Sequence, residues 1–256
     1  MNGTGSFPDR LARELADNTV DGAGTLARQA LRGLRAHIET AEGVDIESVF
    51  DWVRTLQHAR PGIGAIGSLL QHWMDSMPAV EGGQDEVRKT AMRHCDRVLA
   101  SADAALAQTI QLGRARLSGM PGRIVTHSAS STIRQLLAAV APGRVIVGAS
   151  EPGGEGRSLA AELGARCVSD ADAVRQVSQA AAVLVGADAI GVHSFVNKVG
   201  TLALAEAAHE AGTPIFVVAE SFKWVPLADP LVVEPAFEAV TNDLVREFLA
   251  DNLFRS

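Results

Sequence analysis

Residues 186–201 read GADAIGVHSFVNKVGT and bring an acid, an amide and a base close together along the chain. Asp188 closes an apolar run, LeuValGlyAla. A carboxylate in such surroundings has its pKa raised toward neutrality, where it serves as a general acid or base. Asn197 and Lys198 come just before Gly200 and Thr201, which open an Ala-rich helical stretch. A lysine beside a helix start offers a point charge next to free backbone N–H groups, a good seat for a phosphate. Each has a plainer reading as well: a strand-end Asp that fixes a loop, an Asn turn, a solvated Lys. Ser128, Ser130 and Ser131 lie in ThrHisSerAlaSerSerThr (126–132), where hydroxyls before a helix either hold an anion or act as its N-cap. Glu220 and Lys223 follow another apolar run. Arg60, before Pro61 and near Gly62 and Gly64, is either an anion contact or a surface residue in a turn.

These residues need a frame. Leu11 and Leu15, then Leu26, Ala30, Leu31 and Leu34, recur at helical spacing. Further amphipathic stretches run over 44–56, 63–74 and 85–117, the last broken by SerGlyMetProGly at 118–122. Beyond Gly122 the pattern changes to short β-branched runs at 123–126, 144–147, 166–168, 182–185 and 215–218. Helical segments near 130–140, 155–164, 171–180 and 201–211 follow the first four. Such alternation predicts a parallel sheet with helices on both faces and a ligand at the C-terminal strand ends. The expected fold is α/β: an N-terminal helical domain, residues 1–120, followed by a Rossmann-like parallel-sheet domain, residues 121–256. The stretch between Asp188 and Asn197 reads as a loop, 232–240 as a last strand and 244–249 as a last helix.

The 256 residues are 47% apolar, enough to bury a sizeable core, and carry a net charge of −7 spread along the chain. That charge argues against a broad nucleic-acid surface. No 18-residue apolar run predicts a membrane span, and the first residues, MNGTGSFPDR, do not read as a secretory signal. Cys95 and Cys167 are not spaced as metal ligands, and both are expected to be buried; a reduced, cytoplasmic setting and no metal follow. GASEPGGEG (148–156) follows a strand but does not fit GxGxxG, and no GxxxxGK[ST] loop is present, so no nucleotide cofactor is expected.

GADAI, AsnLysValGlyThr, AlaAlaHisGlu (207–210) and ValAlaGluSerPheLys (218–223) together resemble the superfamily of the initiation factor 2B alpha, beta and delta subunits. Its enzyme members are methylthioribose-1-phosphate isomerase and ribose-1,5-bisphosphate isomerase. AspGlyAlaGlyThrLeuAlaArg (21–28) looks like the family's Gly-Ala-Ser turn, adding Gly22 and Ala23, and Arg60-Pro61 looks like its Arg-Pro turn. The resemblance implies a small-molecule sugar phosphate as ligand and a homodimer. In the enzymes an aldose phosphorylated on C1 becomes a ketose through a Cys and an Asp. Asp188 stands at the Asp position and Ser128 where the isomerases carry their thiol. A hydroxyl titrates far above a thiol and moves protons poorly without a helper base. Implied binding residues are Gly22, Ala23, Arg60, Ser130, Ser131, Asn197, Lys198 and Lys223. Glu151 stands where relatives commonly carry an Arg, with Arg157 the nearest replacement, and His193 lies in a shortened loop. Two readings stay open: an isomerase using Asp188, and a noncatalytic sugar-phosphate- or nucleotide-binding protein that regulates through oligomerisation or a partner. A subunit role in the eukaryotic exchange factor fits less well, because the chain is short and composed like a bacterial or archaeal protein.

Overall fold

A computed structural model describes residues 6–225 and 231–254. Five helices come first: α1 (Phe7–Asp17), α2 (Ala23–Thr40), α3 (Ile46–Gln57), α4 (Gly64–Ser76) and α5 (Gln84–Ser118). Their apolar stripes face one another, so Leu26, Leu31, Leu34, Val53, Leu56, Leu69 and Trp73 are wholly buried. Asp45 starts α3 by accepting from the Ser48 N–H at 2.8 Å. Gly22 is the N-cap of α2 and has no side chain of its own to cap the helix's first amides.

The strands follow: β1 (Arg123–Thr126), α6 (Ser131–Leu137), β2 (Val145–Gly148), α7 (Glu155–Leu163), β3 (Arg166–Val168), α8 (Asp170–Gln176), β4 (Ala180–Val185), β5 (Ala189–Ile190), β6 (Ser194–Lys198), α9 (Thr201–Ala211), β7 (Ile215–Val218), β8 (Phe237–Thr241) and β9 (Glu247–Leu249). Six of them form one parallel sheet in the order β3-β2-β1-β4-β7-β9. Ala173, Leu204 and Ala205 of α8 and α9 pack on one face against Val125 and Val183. Leu117, Ile133, Leu136 and Leu159 pack on the other against Ile124 and Leu184. Strand order reverses between β1 and β4, which opens a crevice beyond their C-terminal ends.

Three expectations fail here. The stretch after Asp188 is no loop: β5 and β6 form an antiparallel pair, and β8 joins β6 to complete a second sheet, β5-β6-β8. Residues 244–249 supply β9 rather than a helix. The open edge of β7 presents unpaired backbone groups, and Phe216, Val217 and Val218 pair with Glu247, Phe248 and Leu249. Cys167 is exposed, because β3 is an edge strand with its first two residues turned to solvent, whereas Cys95 is buried in α5.

Candidate functional site

A cleft of about 590 Å³ lies between the N-terminus of α2, the ends of β1 and β4, and the second sheet. Gly22, Ala23, Arg60, Ser128, Ser130, Ser131, Asp188, Asn197, Lys198 and Lys223 all line it. The N-cap and first residue of α2 supply the first two, and the strand ends supply most of the rest.

Asp188 is fixed by its own backbone: its N–H donates to the Val196 carbonyl of the hairpin at 2.8 Å. Burial pushes its carboxyl up to about 6. Lys223 and Arg60 pull against that rise, Glu234 adds to it, and the Ala23 amide hydrogen-bonds the carboxylate. The group therefore sits near half-protonation in mildly acidic solution and changes charge close to neutrality.

Lys223 leans on Glu220, which follows β7. Glu220 Oε2 lies 3.0 Å from Lys223 Nζ and accepts from Thr132 Oγ1 at 3.0 Å. Arg28 Nη1 lies 3.5 Å from the other oxygen. Arg28 is tied in turn to Asp103 at 2.9 Å and to the Ala102 and Gly24 carbonyls. Burial alone would raise Glu220, but Lys223 and Arg28 outweigh it and hold the carboxyl below its ordinary range. A Cβ on Gly24 would come within 2.8 Å of Glu220 Oε1, so a glycine lets the helix approach the carboxylate.

The loop after β1 is held from below. Ser128 has φ +69 and donates its N–H to Ser150 Oγ at 2.7 Å. His127 is buried beneath it, with Nε2 at 2.7 Å from the Val199 carbonyl and Nδ1 at 3.3 Å from Ser150 Oγ. It ties three loops together and does not line the cleft. Among the described residues the lining holds neither a histidine nor a cysteine that could serve Ser128 as a proton carrier. Ser130 is the N-cap of α6, accepting from the Ile133 N–H at 3.5 Å, and also faces the cleft.

Two expectations about cations change. The start of α9 is not a free anion seat. Glu238 of β8 reaches across and takes the N–H groups of Gly200 and Leu202, each at 2.7 Å. Asn197 stands opposite Glu238 in the β6–β8 register and donates to Thr201 Oγ1 at 3.0 Å. Arg60 is not a surface residue. It is 8% exposed, donates to the Asn18 carbonyl at 2.6 Å, and forks onto Glu234 with contacts of 2.7 to 3.1 Å. Lys198 is also buried, with Nζ 2.8 Å from Glu155. Arg157 pairs with Glu151 outside the lining and so brings no charge into the cleft. His193 is exposed on the β5–β6 turn and also lies outside it.

Thr19, Asp21, Arg134, Glu155, Ser158 and Phe237 line the cleft without having been singled out from the sequence. Asn18 gives a signal for the first two: its side chain accepts from the N–H groups of Val20 and Asp21 and shapes the turn into α2. Among the described residues, no cluster of His, Cys, Asp and Glu converges as metal ligands would. No described helix is long and apolar enough to cross a membrane.

A parallel sheet with a switch point, a helical cap and charged side chains gathered at the strand ends defines an α/β protein with a polar cleft at its strand ends. The model of the Initiation factor 2 subunit family matches residues 19–242, and the chain belongs to that family. Ribose 1,5-bisphosphate isomerase of Haloferax volcanii is 32% identical over 233 residues, 85% of this chain and 71% of that protein. A protein of Pyrococcus abyssi named translation initiation factor eIF-2B subunit 2-like is 29% identical over 86% of this chain and 81% of its own length. Among solved structures, the Pyrococcus horikoshii OT3 translation initiation factor eIF-2B superimposes with a TM-score of 0.78 at 22% identity, covering 95% of this chain and 94% of that one. The 5-methylthioribose 1-phosphate isomerase of the same organism gives 0.68 at 20% identity, covering 96% and 83%. These two likenesses concern the fold.

Proposed function

We propose that the chain binds a phosphorylated sugar in this cleft and interconverts an aldose 1-phosphate and its ketose, with Asp188 as the acid and base. The observation that carries this reading is the Asp188 carboxyl, pushed to about 6, beside Lys223 at the strand ends. A phosphate on C1 blocks spontaneous opening of the sugar ring. Isomerisation then needs one group that both gives and takes a proton near neutrality, and Asp188 does so at little cost. Lys223 faces a developing oxyanion, Ser128 and Ser131 offer hydroxyl donors, and Lys198 and Arg60 hold phosphate once their carboxylates yield. The helical domain, residues 1–120, contributes Gly22, Ala23 and Arg60, and the sheet domain, residues 121–256, contributes the rest. The protein works in the cytoplasm as a homodimer. Support comes from the relative named ribose 1,5-bisphosphate isomerase, which covers most of the chain.

One observation favours a second reading, a noncatalytic sugar-phosphate- or nucleotide-binding regulator. Among the described residues no thiol or imidazole lines the cleft to stand in for the cysteine that the isomerases pair with their aspartate. A thermal-shift screen against ribose 1,5-bisphosphate, methylthioribose 1-phosphate, other C1-phosphorylated pentoses and nucleoside monophosphates tests both readings. Each stabilising compound is then followed by proton NMR. Stabilisation with conversion to a ketose is the result expected of an isomerase. Stabilisation without conversion makes the chain a binding protein, and no shift with any compound of the screen refutes both readings.

A further inference from the structure

The cleft's lysines differ in what neutralises them. Lys223 faces Glu220, whose side chain is 0% exposed and held by Thr132 and Arg28. Lys198 is also buried, 7% exposed, but its ion-pair partner Glu155 has a side chain 30% exposed and projects from the first turn of α7. A buried ammonium is costly without an anion beside it, so the ligand-free protein needs a carboxylate at this place. The two meet over Gly153, where a Cβ would lie 2.3 Å from Glu155 Oε2 and 3.3 Å from Lys198 Nζ. Gly153, Glu155, Ser158 and Lys198 all face the cleft. A phosphate that comes to this ammonium is repelled by the carboxylate already on it, and the partly exposed Glu155 side chain is free to swing away, as the enclosed Glu220 is not.

We propose that Glu155 is a specificity-determining place-holder: its carboxylate occupies the anion seat on Lys198 and is displaced by the phosphate of the ligand. The proposal rests on the sugar-phosphate reading and adds how the site selects. A dianionic phosphate outcompetes a tethered carboxylate, whereas a singly charged carboxylate ligand does not. Lys223 keeps its permanent partner and remains available to the reacting oxygens.

The test is calorimetric titration of wild type, Glu155→Gln and Glu155→Gln/Lys198→Gln with inorganic phosphate, acetate and ribose 1,5-bisphosphate. Glu155→Gln is expected to bind phosphate roughly three- to tenfold more tightly, the gain from releasing an ion pair with one partly exposed partner. Acetate binding is expected to become measurable, and both gains should vanish in the double variant. Equal or weaker phosphate binding in Glu155→Gln, with wild type binding the sugar phosphate, overturns the place-holder and leaves the sugar-phosphate reading standing. Absence of phosphate and sugar-phosphate binding in all three proteins overturns both. Tighter phosphate binding without any affinity for the sugar upholds the place-holder and counts against the sugar.

Discussion

Two carboxylates flank Lys223 and behave in opposite ways. Glu220 is enclosed in the floor with Lys223, Thr132 and Arg28 around it and is held below its ordinary range. Asp188 lies on the wall, where burial outweighs Lys223 and Arg60 and pushes it to about 6. The same lysine serves both, so the difference comes from everything else. Arg28 adds to Lys223 beside Glu220, whereas Glu234 cancels much of what Arg60 brings to Asp188. The floor stays charged across the range in which the wall titrates, so one carboxylate holds its cation while the other changes charge.

The largest effect is expected in the floor. Glu220→Ala leaves Lys223 and Arg28 buried without their carboxylate and should cost about 3–5 kcal/mol in urea unfolding. A variant as stable as wild type would show that the floor is not the fixed half of the comparison. Acidification should act on the two carboxylates in opposite senses. Glu220, held low, gives stability above the ordinary carboxylate range that is lost as pH falls through its lowered pKa. Asp188, held high, keeps its proton longer when folded, so its contribution declines as pH rises from 3.8 to about 6. Asp188→Asn should remove that decline and be about 1–3 kcal/mol more stable than wild type at pH 7, with little difference near pH 4. Thermal melts of the two proteins at both pH values check this, and parallel curves would place the titrating group elsewhere. At the rim, Glu234→Gln weakens the pair with Arg60, whose side chain is 10% exposed against 26% for Glu234, and should cost about 1–3 kcal/mol, less than Glu220→Ala. A loss as large as that of Glu220→Ala would erase the distinction between floor and rim. The smallest perturbation is a thiol count. Cys167 should react with an aromatic disulfide reagent in the native protein, and Cys95, its thiol pushed up to about 12 by burial, should react on unfolding.

Much of the frame was legible because it rests on local periodicity. Leu26 to Leu34 and the run from 85 to 117 follow helical spacing closely, and they became α2 and α5. The four β-branched runs that precede helices, and the fifth at 215–218, became the core of the parallel sheet. What failed depended on partners distant in sequence. LeuValArgGluPheLeu carries no local sign that the edge of β7 awaits it. The hairpin after Asp188 is fixed by β8, some 40 residues further on. The candidate site was legible as a set of residues sharing one cleft, since strand ends converge in any doubly wound sheet. Their counter-ions were not. Glu155 on Lys198, Glu234 on Arg60 and Glu238 on the start of α9 come from segments whose placement the sequence pattern does not show. The expectation that α9 offered a free phosphate seat failed for that reason.

The most direct measurement is the pH dependence of conversion of a C1-phosphorylated pentose, followed by proton NMR with wild type and Asp188→Asn between pH 5 and pH 8, a window set about the Asp188 pKa of about 6. The wild-type rate should change near pH 6, and Asp188→Asn should lose roughly 10²-fold or more in turnover while still binding the sugar. Conversion by Asp188→Asn at the wild-type rate, with the same pH profile, would contradict the assignment of Asp188 as the acid and base.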